Sequence, residues 1–282
     1  MSAELIAALC MLASALGHAI MNVFNKGADD KVLFRGVFLA ISATCCLPFL
    51  FFIPAPTPKV WMHLGISLAL HAPYTYFMLN AYQRGDMGLV YPIMRGLAPV
   101  IAALVALVFL GETLPPLAIV ALFGASAALI AFAWPARGAR LDRAPVAFAV
   151  MTALMIAGYT VNDAAGVRAM GNPLTYIAWF FITVSLPIAL TCFWLRRRVL
   201  VASLPGVLRK AAFASFTGFL SYSLALYALS LAPVAVMTSL RETSVVFGAI
   251  LAALVLKEGF GLRRTVLAVL LAACLIALQA AS

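Results

Sequence analysis

The sequence predicts an all-α membrane protein with ten transmembrane helices in an inverted repeat of five plus five. Three observations support this fold class: an apolar composition, a regular series of apolar runs, and matching uncommon residues in the two halves. Of the 282 residues, 65% are hydrophobic and 10% are charged, against roughly 45–50% and 25% in soluble domains. Because a spanning helix needs about 20 apolar residues, the chain has room for ten spans and almost no soluble domain.

Apolar runs separated by charge, proline and glycine mark the ten helices in order. The predicted ranges are 4–25, 32–53, 60–82, 88–110, 115–134, 144–166, 173–195, 208–230, 233–256 and 263–281. Trp61, Trp134 and Trp194 fall at predicted helix ends, where the indole ring prefers the level of the lipid headgroups. We expect the first run to be a mature helix, because no basic segment or small-residue cleavage site accompanies it.

The two halves of the sequence are related by a shift of 146 residues. The shift superposes three pairs of uncommon residues, which are Tyr76 with Tyr222, Arg95 with Arg241, and Glu112 with Glu258. The polar stretch 134–140 follows the fifth run, so we predict two repeats, 1–136 and 137–282. Five helices per repeat is an odd number, so the second repeat enters the membrane inverted. Inverted repeats are typical of alternating-access transporters, which bind substrate near the bilayer midplane.

The positive charges predict the orientation of the chain in the membrane. Of the 19 lysines and arginines, two lie inside helices, Lys59 and Arg168 flank even-numbered loops, and the other 15 flank odd-numbered loops. Cytoplasmic loops carry the excess of positive charge, so we expect both termini outside the cytoplasm of an inner (plasma) membrane protein. Basic residues confined to helix ends meet headgroups and give no indication of nucleic-acid binding.

Several classes of site have no support in the sequence. The five cysteines lie singly or as a pair inside apolar runs, without the spacing of metal ligands, and are interpreted as packing residues. We expect no metal and no cofactor. An intramembrane enzyme would need a nucleophile with its base, paired aspartates or a metal triad, and none is found. The protein is predicted not to be an enzyme and to be a monomer.

Charged residues inside predicted spans are the main candidates for a binding site, since each costs roughly 2.5–3.5 kcal/mol to insert. They are Arg95, Arg241, Glu242 and Asp163. In the functional interpretation the arginines hold an anionic group such as a carboxylate, and Asp163 or Glu242 meets a cation or carries a proton. In the structural alternative, Arg241 pairs with a carboxylate such as Asp163 and Arg95 with helix carbonyls.

Polar and aromatic residues in the spans form a second set of candidates. Those proposed to line a substrate cavity are Tyr76, Asn80, Tyr91, Tyr222, Trp179, Tyr159, His18 and Asn22; core packing is the alternative for each. Glu112 and Glu258, at helix ends, are candidate gate residues. The alternative is a helix-start cap, since a carboxylate is favoured near a helix N-terminus.

Two segments, Ala81 to Gly96 and Phe109 to Leu114, resemble the EamA-type repeat of the drug/metabolite transporter superfamily. In the second half, Ser230 to Val234 and Leu256 to Glu258 extend the resemblance over nearly the whole chain. The resemblance implies ten helices in an inverted repeat around a central cavity lined mainly by helices three, four, eight and nine. It also implies a carrier of amino acids, other metabolites, organic cations or drugs, either proton-coupled or facilitative.

The sequence therefore predicts a secondary carrier of a small organic metabolite, with Arg95, Arg241, Glu242 and Asp163 as its polar site. Both signs of charge favour an amino acid or similar zwitterion. The alternatives are an exporter of drugs or organic cations and, from other classes, a passive channel or an intramembrane enzyme.

The orientation is tested with single cysteines in a variant that lacks the five native ones. Ser2→Cys and Ser282→Cys should react with a membrane-impermeant maleimide added to intact cells, because the charge distribution places both termini outside. Arg197→Cys, in an odd-numbered loop, should react only after permeabilisation. Protection of the termini in intact cells would overturn the predicted orientation.

Overall fold

The computed structural model describes residues 2–26, 28–85, 87–133, 142–247 and 262–281, and within these ranges it is helical without strands. The first five helices are α1 (Ala3–Lys26), α2 (Lys31–Cys46) with a 3₁₀ turn at Leu47–Phe51, α3 (Pro58–Arg84), α4 (Met87–Leu110) and α5 (Pro116–Ala133). The next five are α6 (Arg143–Met170), α7 (Pro173–Leu195), α8 (Leu200–Leu231), α9 (Val234–Arg241) and α10 (Leu262–Ala281).

The prediction of an all-α membrane protein is confirmed. Six of the described helices, namely α1, α2, α4, α6, α7 and α8, are long and apolar enough to cross a membrane, and α5 and α10 contain shorter apolar segments. The ten helices follow the predicted order. The main difference in length at a helix start is at α8, which begins at Leu200, eight residues before the start of the predicted range 208–230.

Two of the helices contain irregular turns. In the middle of α7, residues Phe181–Ser185 form a π-helical turn, a feature that is frequent at functional sites. In α9, the helix ends at Arg241, a turn follows at Glu242, and helical structure resumes at 243–247. Predicted helix 233–256 is therefore interrupted at the position of its two charged residues.

The described chain forms two compact units that do not coincide with the predicted repeats. The first unit comprises Met1–Ala69 and Asn162–Leu231, and the second comprises Leu70–Val161 and Ala232–Ser282. Helices α3 and α6 contribute residues to both units. The predicted joint between the repeats falls on residues 134–141, outside the described part of the chain, and the inverted arrangement of 1–136 and 137–282 stays a prediction.

In the first unit, small residues allow α1 and α2 to approach α8 closely. The hydroxyl of Ser221 in α8 donates to the carbonyl oxygen of Ser14 at 2.7 Å, and the hydroxyl of Ser215 donates to that of Phe38 at 2.8 Å. Both bonds run from side chain to backbone of a neighbouring helix, which requires short side chains at the contact.

In the second unit, α4 and α10 pack against α5. A buried cluster combines Ala125, Ala128 and Leu129 of α5 with Leu271 and Leu275 of α10. On the α4 side, a Cβ atom added at Gly96 would lie 3.0 Å from the Ile130 side chain. The absence of a side chain at Gly96 therefore sets the distance between α4 and α5, next to Arg95.

We expect Gly218→Ala to destabilise the protein, because a Cβ atom at Gly218 would lie 2.5 Å from the ring of Phe38, which is buried. Overpacking of this kind costs typically 1–3 kcal/mol, and the thermal unfolding temperature in detergent should fall. Gly206→Ala in the same helix is the matched control, since nothing lies within 4 Å of its added Cβ. Equal unfolding temperatures for the two variants would contradict the close contact between α2 and α8.

Candidate functional site

Four charged side chains are buried in the described part of the chain: Arg95, Asp163, Arg241 and Glu242, with exposed fractions of 5%, 0%, 8% and 3%. These are the four that the sequence singled out. Arg95, Arg241 and Glu242 belong to the second unit and Asp163 to the first. Each group is described separately, as the arginine centre (Arg95, Arg241, Glu242 and Ser244) and the aspartate centre (Asp163, Ser67, Tyr176, Tyr222 and Asn162).

At the arginine centre, an ion pair joins α4 to the interruption in α9. The Nε atom of Arg95 lies 2.9 Å from a carboxylate oxygen of Glu242. A terminal nitrogen of the same guanidinium donates to the carbonyl oxygen of Arg241 at 3.0 Å and to the hydroxyl of Ser244 at 3.1 Å. The planar guanidinium of Arg95 therefore contacts three acceptor groups in 241–244: a backbone carbonyl, a carboxylate and a hydroxyl.

The interruption in α9 explains why a backbone carbonyl is available to Arg95. In a regular helix the carbonyl of Arg241 would accept from the N–H of Val245. The N–H of Val245 instead donates to the carbonyl of Glu242 at 3.0 Å, a tighter turn. The carbonyl of Arg241 is thereby released from the helical ladder, and the guanidinium of Arg95 takes the place of the missing donor.

Aromatic side chains lie beside this centre. The imidazole of His71 stacks on the ring of Tyr159 with centroids 4.0 Å apart, and Tyr74 packs edge-on against Tyr159 at 5.4 Å. Tyr91 lies near Ser244, and Tyr74 and Tyr159 lie close enough to Arg95 to interact with it electrostatically. Of the predicted aromatic residues, Tyr91 and Tyr159 are thus near the arginine centre.

The aspartate centre holds a carboxylate that is 0% exposed among hydroxyl groups. The phenol of Tyr222 in α8 donates to Oδ2 of Asp163 at 2.6 Å, and that of Tyr176 in α7 lies 3.4 Å from Oδ1. The hydroxyl of Ser67 in α3 also donates to Oδ1. Gly166, one turn after Asp163, makes room for Tyr176, since an added Cβ would lie 2.5 Å from its phenol oxygen.

A further hydrogen-bond chain leads from Ser67 to His63. The amide nitrogen of Asn162 donates to the hydroxyl of Ser67 at 2.9 Å and to the carbonyl of His63 at 2.8 Å. Its amide oxygen lies 2.9 Å from Nδ1 of His63. Sequence reasoning missed Ser67, Tyr176 and His63. The available signal was the spacing of four between His63 and Ser67, which places them on one helix face.

Five other candidates have no described contact with either centre. Tyr76 is 58% exposed and contacts Phe77 and Phe148. The amide of Asn80 donates to the carbonyl of Tyr76 at 2.9 Å, on the same part of α3. The indole of Trp179 packs edge-on against Trp61 at 5.2 Å and donates to the carbonyl of Pro54 at 3.0 Å. His18 is half-buried in α1, and the side chain of Asn22 lies outside the described part.

Glu112 lies at the start of another helix. Its carboxylate accepts a hydrogen bond of 2.7 Å from the N–H of Val234, the first residue of α9. Gly111 directs it there, because its φ of +68° turns the chain at the end of α4 in a conformation that favours glycine. Glu112 thus caps the N-terminus of α9, a helix distant in sequence, which agrees with the capping alternative. The gate role stays a prediction. Glu258 lies outside the described residues.

Within the described ranges, no group of three or more histidine, cysteine, aspartate or glutamate side chains is arranged to hold a metal ion.

Comparisons with known proteins confirm the predicted family. Residues 143–278 match the EamA-like transporter family, of the drug/metabolite transporter superfamily. One solved structure, described as a crystal structure of a protein, is 15% identical with a TM-score of 0.75 and covers 98% of this chain and 95% of its own. At this identity the likeness shows the fold alone. No curated protein matches the sequence.

We expect Glu242→Gln to lower the stability of the detergent-solubilised protein by about 3–5 kcal/mol, because it leaves the buried charge of Arg95 without its ionic partner. The matched control is Arg196→Gln. It removes an ion pair with Asp30 of 2.6 Å whose side chains are 36% and 28% exposed, and should change stability by less than about 1 kcal/mol. Chemical unfolding of both variants measures the difference. Similar losses would show that the Arg95–Glu242 pair is not effectively desolvated.

Proposed function

We propose that this multi-pass membrane protein is a secondary carrier of an amino acid or similar zwitterion. Its residues 143–278 belong to the EamA-like transporter family. It exchanges the substrate across the inner membrane by alternating access. Members of the family are transporters rather than enzymes. The finer assignment of substrate depends on the arginine centre.

The observation that carries this proposal is a buried ion pair, Arg95 with Glu242 at 2.9 Å, next to a second buried arginine, Arg241. An amino acid carries the same two charges as the pair. Its carboxylate fits the fork of a guanidinium, in which two parallel N–H bonds are made. Its ammonium group fits the carboxylate of Glu242. Substrate binding would thus exchange partners within the pair without leaving a buried charge uncompensated.

The donor groups of the centre favour ligands with a carboxylate. Among its buried side chains, Arg95 and Arg241 carry guanidinium groups and Glu242 carries the carboxylate. A guanidinium has five N–H donors and can bond a further acceptor besides its present partners. A carboxylate ligand therefore finds donors at the centre, whereas a purely cationic ligand finds a carboxylate that Arg95 already contacts.

The backbone around the centre also has features of a transport site. Two prolines, Pro92 and Pro99, lie within α4 on either side of Arg95, and α9 is interrupted at Glu242. Discontinuous spanning helices are tolerated where they are buried in protein or line a cavity. In secondary transporters they form the sites for substrates and coupling ions.

The aspartate centre favours a second candidate function, export of an organic cation or drug. A carboxylate surrounded by Tyr176, Tyr222 and Phe180, whose ring stacks on Tyr222 at 4.9 Å, has the components that bind an organic ammonium ion. The two functions differ in the ligand chemistry they require. A cation carrier needs no carboxylate on its substrate.

The substrate class is tested by flux into proteoliposomes that contain the purified protein. Amino acids should be exchanged with saturation, whereas the decarboxylated amine and the deaminated acid of the same side chain should compete at least about tenfold less well, because each loses one charged contact of about 1.5–3 kcal/mol. Competition by the amine as strong as by the amino acid would favour the cation exporter. Flux without saturation or exchange would indicate a channel.

The site is tested in the same assay with Arg241→Ala, which should lower apparent substrate affinity roughly tenfold or more by removal of a charge-assisted contact. Arg209→Ala, at an exposed position of α8, is the control with expected normal flux. Undiminished transport by Arg241→Ala would remove Arg241 from the site.

A further inference from the structure

We propose that Asp163 is a proton-binding site that couples transport to a transmembrane pH gradient, with His63 at the entrance of its proton path. This inference rests on the proposed carrier function. It assigns to the aspartate centre a ligand, the proton, distinct from the substrate of the arginine centre.

The first observation is the composition of the shell around Asp163. Its carboxylate is 0% exposed, and its hydrogen-bond partners are the hydroxyls of Ser67, Tyr176 and Tyr222. In the described part of the first unit, no lysine or arginine forms an ion pair with it. Glu242 differs in this respect, because the guanidinium of Arg95 lies 2.9 Å from its carboxylate.

The second observation concerns the chemistry of these partners. A hydroxyl group both donates and accepts hydrogen bonds. The three hydroxyls can therefore donate to the ionised carboxylate, and one of them can accept from the O–H of the protonated acid after rotation of its own hydrogen. The same heavy-atom arrangement serves both protonation states. A lysine or arginine in the same place could only donate hydrogen bonds and would therefore suit only the ionised carboxylate.

The third observation is the chain of hydrogen bonds that connects Asp163 to His63. Both amide hydrogens of Asn162 are used, one toward Ser67 and one toward the carbonyl of His63. The amide oxygen is therefore the atom that faces Nδ1 of His63, and Nδ1 carries the hydrogen. Nε2 is then the nitrogen whose lone pair can accept a proton.

The position of these residues suggests the side of entry. His63 lies five residues after the start of α3 and Asp163 seven residues before the end of α6. At about 1.5 Å per residue, both are within about 10 Å of the helix ends that adjoin even-numbered loops. The charge distribution predicts that these loops lie outside the cytoplasm.

The titratable and charged groups around Asp163 come from all the helices that contact it. They are Tyr176 from α7, Tyr222 from α8 and, through Asn162, His63 from α3. Arg168, further along α6, donates through Nε to the carbonyl of Leu229 at 3.0 Å. Asn162 and Ser67 position the path, and water carries the proton between His63 and the carboxylate.

The proposed step is a simple acid–base reaction. A proton from the outer solution binds Nε2 of His63, a proton passes by way of water to a carboxylate oxygen of Asp163, and an O–H bond forms there. No group is oxidised or reduced. When the carrier opens to the other side, the same O–H bond breaks and the proton leaves to water, which restores the carboxylate.

The test is transport by proteoliposomes under an imposed pH gradient. For one proton per substrate, the wild-type protein should change the accumulation of labelled amino acid about tenfold for each pH unit. Asp163→Asn should abolish this response, because an amide binds no proton, and exchange of labelled for unlabelled substrate by the wild type at equal pH shows that the carrier itself is active. Asp142→Asn, an exposed residue before the same helix, should respond as the wild type does.

The exchange assay separates failure of this proposal from failure of the proposed function. Wild-type exchange that is unaffected by the gradient would overturn proton coupling alone, and so would a gradient response retained by Asp163→Asn. A response to a sodium gradient that is lost in Asp163→Asn would also overturn it, in favour of a metal cation. Absence of amino-acid exchange by the wild type would refute the substrate assignment of the carrier.

A second measurement does not depend on transport. Infrared difference spectra between acidic and alkaline buffer should show the C=O stretch of a protonated carboxylic acid that is missing in Asp163→Asn and present in Asp142→Asn. His63→Gln should keep this band but slow the pH-driven flux several-fold. Identical spectra for the wild type and Asp163→Asn would contradict a reversible proton site at Asp163.

Discussion

The contact on which the arginine centre depends is the one between the guanidinium of Arg95 and the interrupted end of α9. A guanidinium inside an apolar bundle needs hydrogen-bond acceptors, and each carbonyl of a regular helix already accepts one bond from an N–H of the same helix. The turn at Glu242 releases the carbonyl of Arg241 and presents a carboxylate beside it. The irregular backbone and the buried charge thus stabilise each other: the interruption supplies an acceptor to Arg95, and Arg95 supplies a donor to the released carbonyl.

The same constraint is met differently at Asp163. Here the buried carboxylate is held by hydroxyls from three helices. Within the described residues, no lysine or arginine forms an ion pair with it. An ion pair stabilises a charge at one place, whereas a shell of hydroxyls tolerates its loss. On this ground we propose different ligands for the two centres: a molecule that carries charge for the arginine centre, and a proton for the aspartate centre.

The extent to which the sequence predicted the fold and the site follows from how local each signal is. Apolar runs of about 20 residues predicted the helices, because length and composition suffice for a span. Arg95, Asp163, Arg241 and Glu242 were found because charge is rare there. Their partners were not, since Ser67 and Tyr176 are ordinary residues whose role depends on three helices meeting. The hydrogen bond from Val234 to Glu112, across 122 positions, likewise has no local signature.

The shift of 146 residues gives one further step, because it shows where the repeats differ. Under this register Glu242 corresponds to Gly96 and Asp163 to Gly17, so both buried carboxylates belong to the second repeat. Tyr222 donates to Asp163. Its counterpart under this register is Tyr76, and the counterpart of Asp163 is Gly17, which has no carboxylate; Tyr76 is 58% exposed. The resemblance of the two tyrosines in sequence therefore did not imply a common role. In both pairs the missing carboxylate coincides with a glycine, which at position 96 serves close packing instead. The predicted repeats therefore differ in chemistry: under the 146-residue register, the first has glycines where the second has its two buried acidic groups.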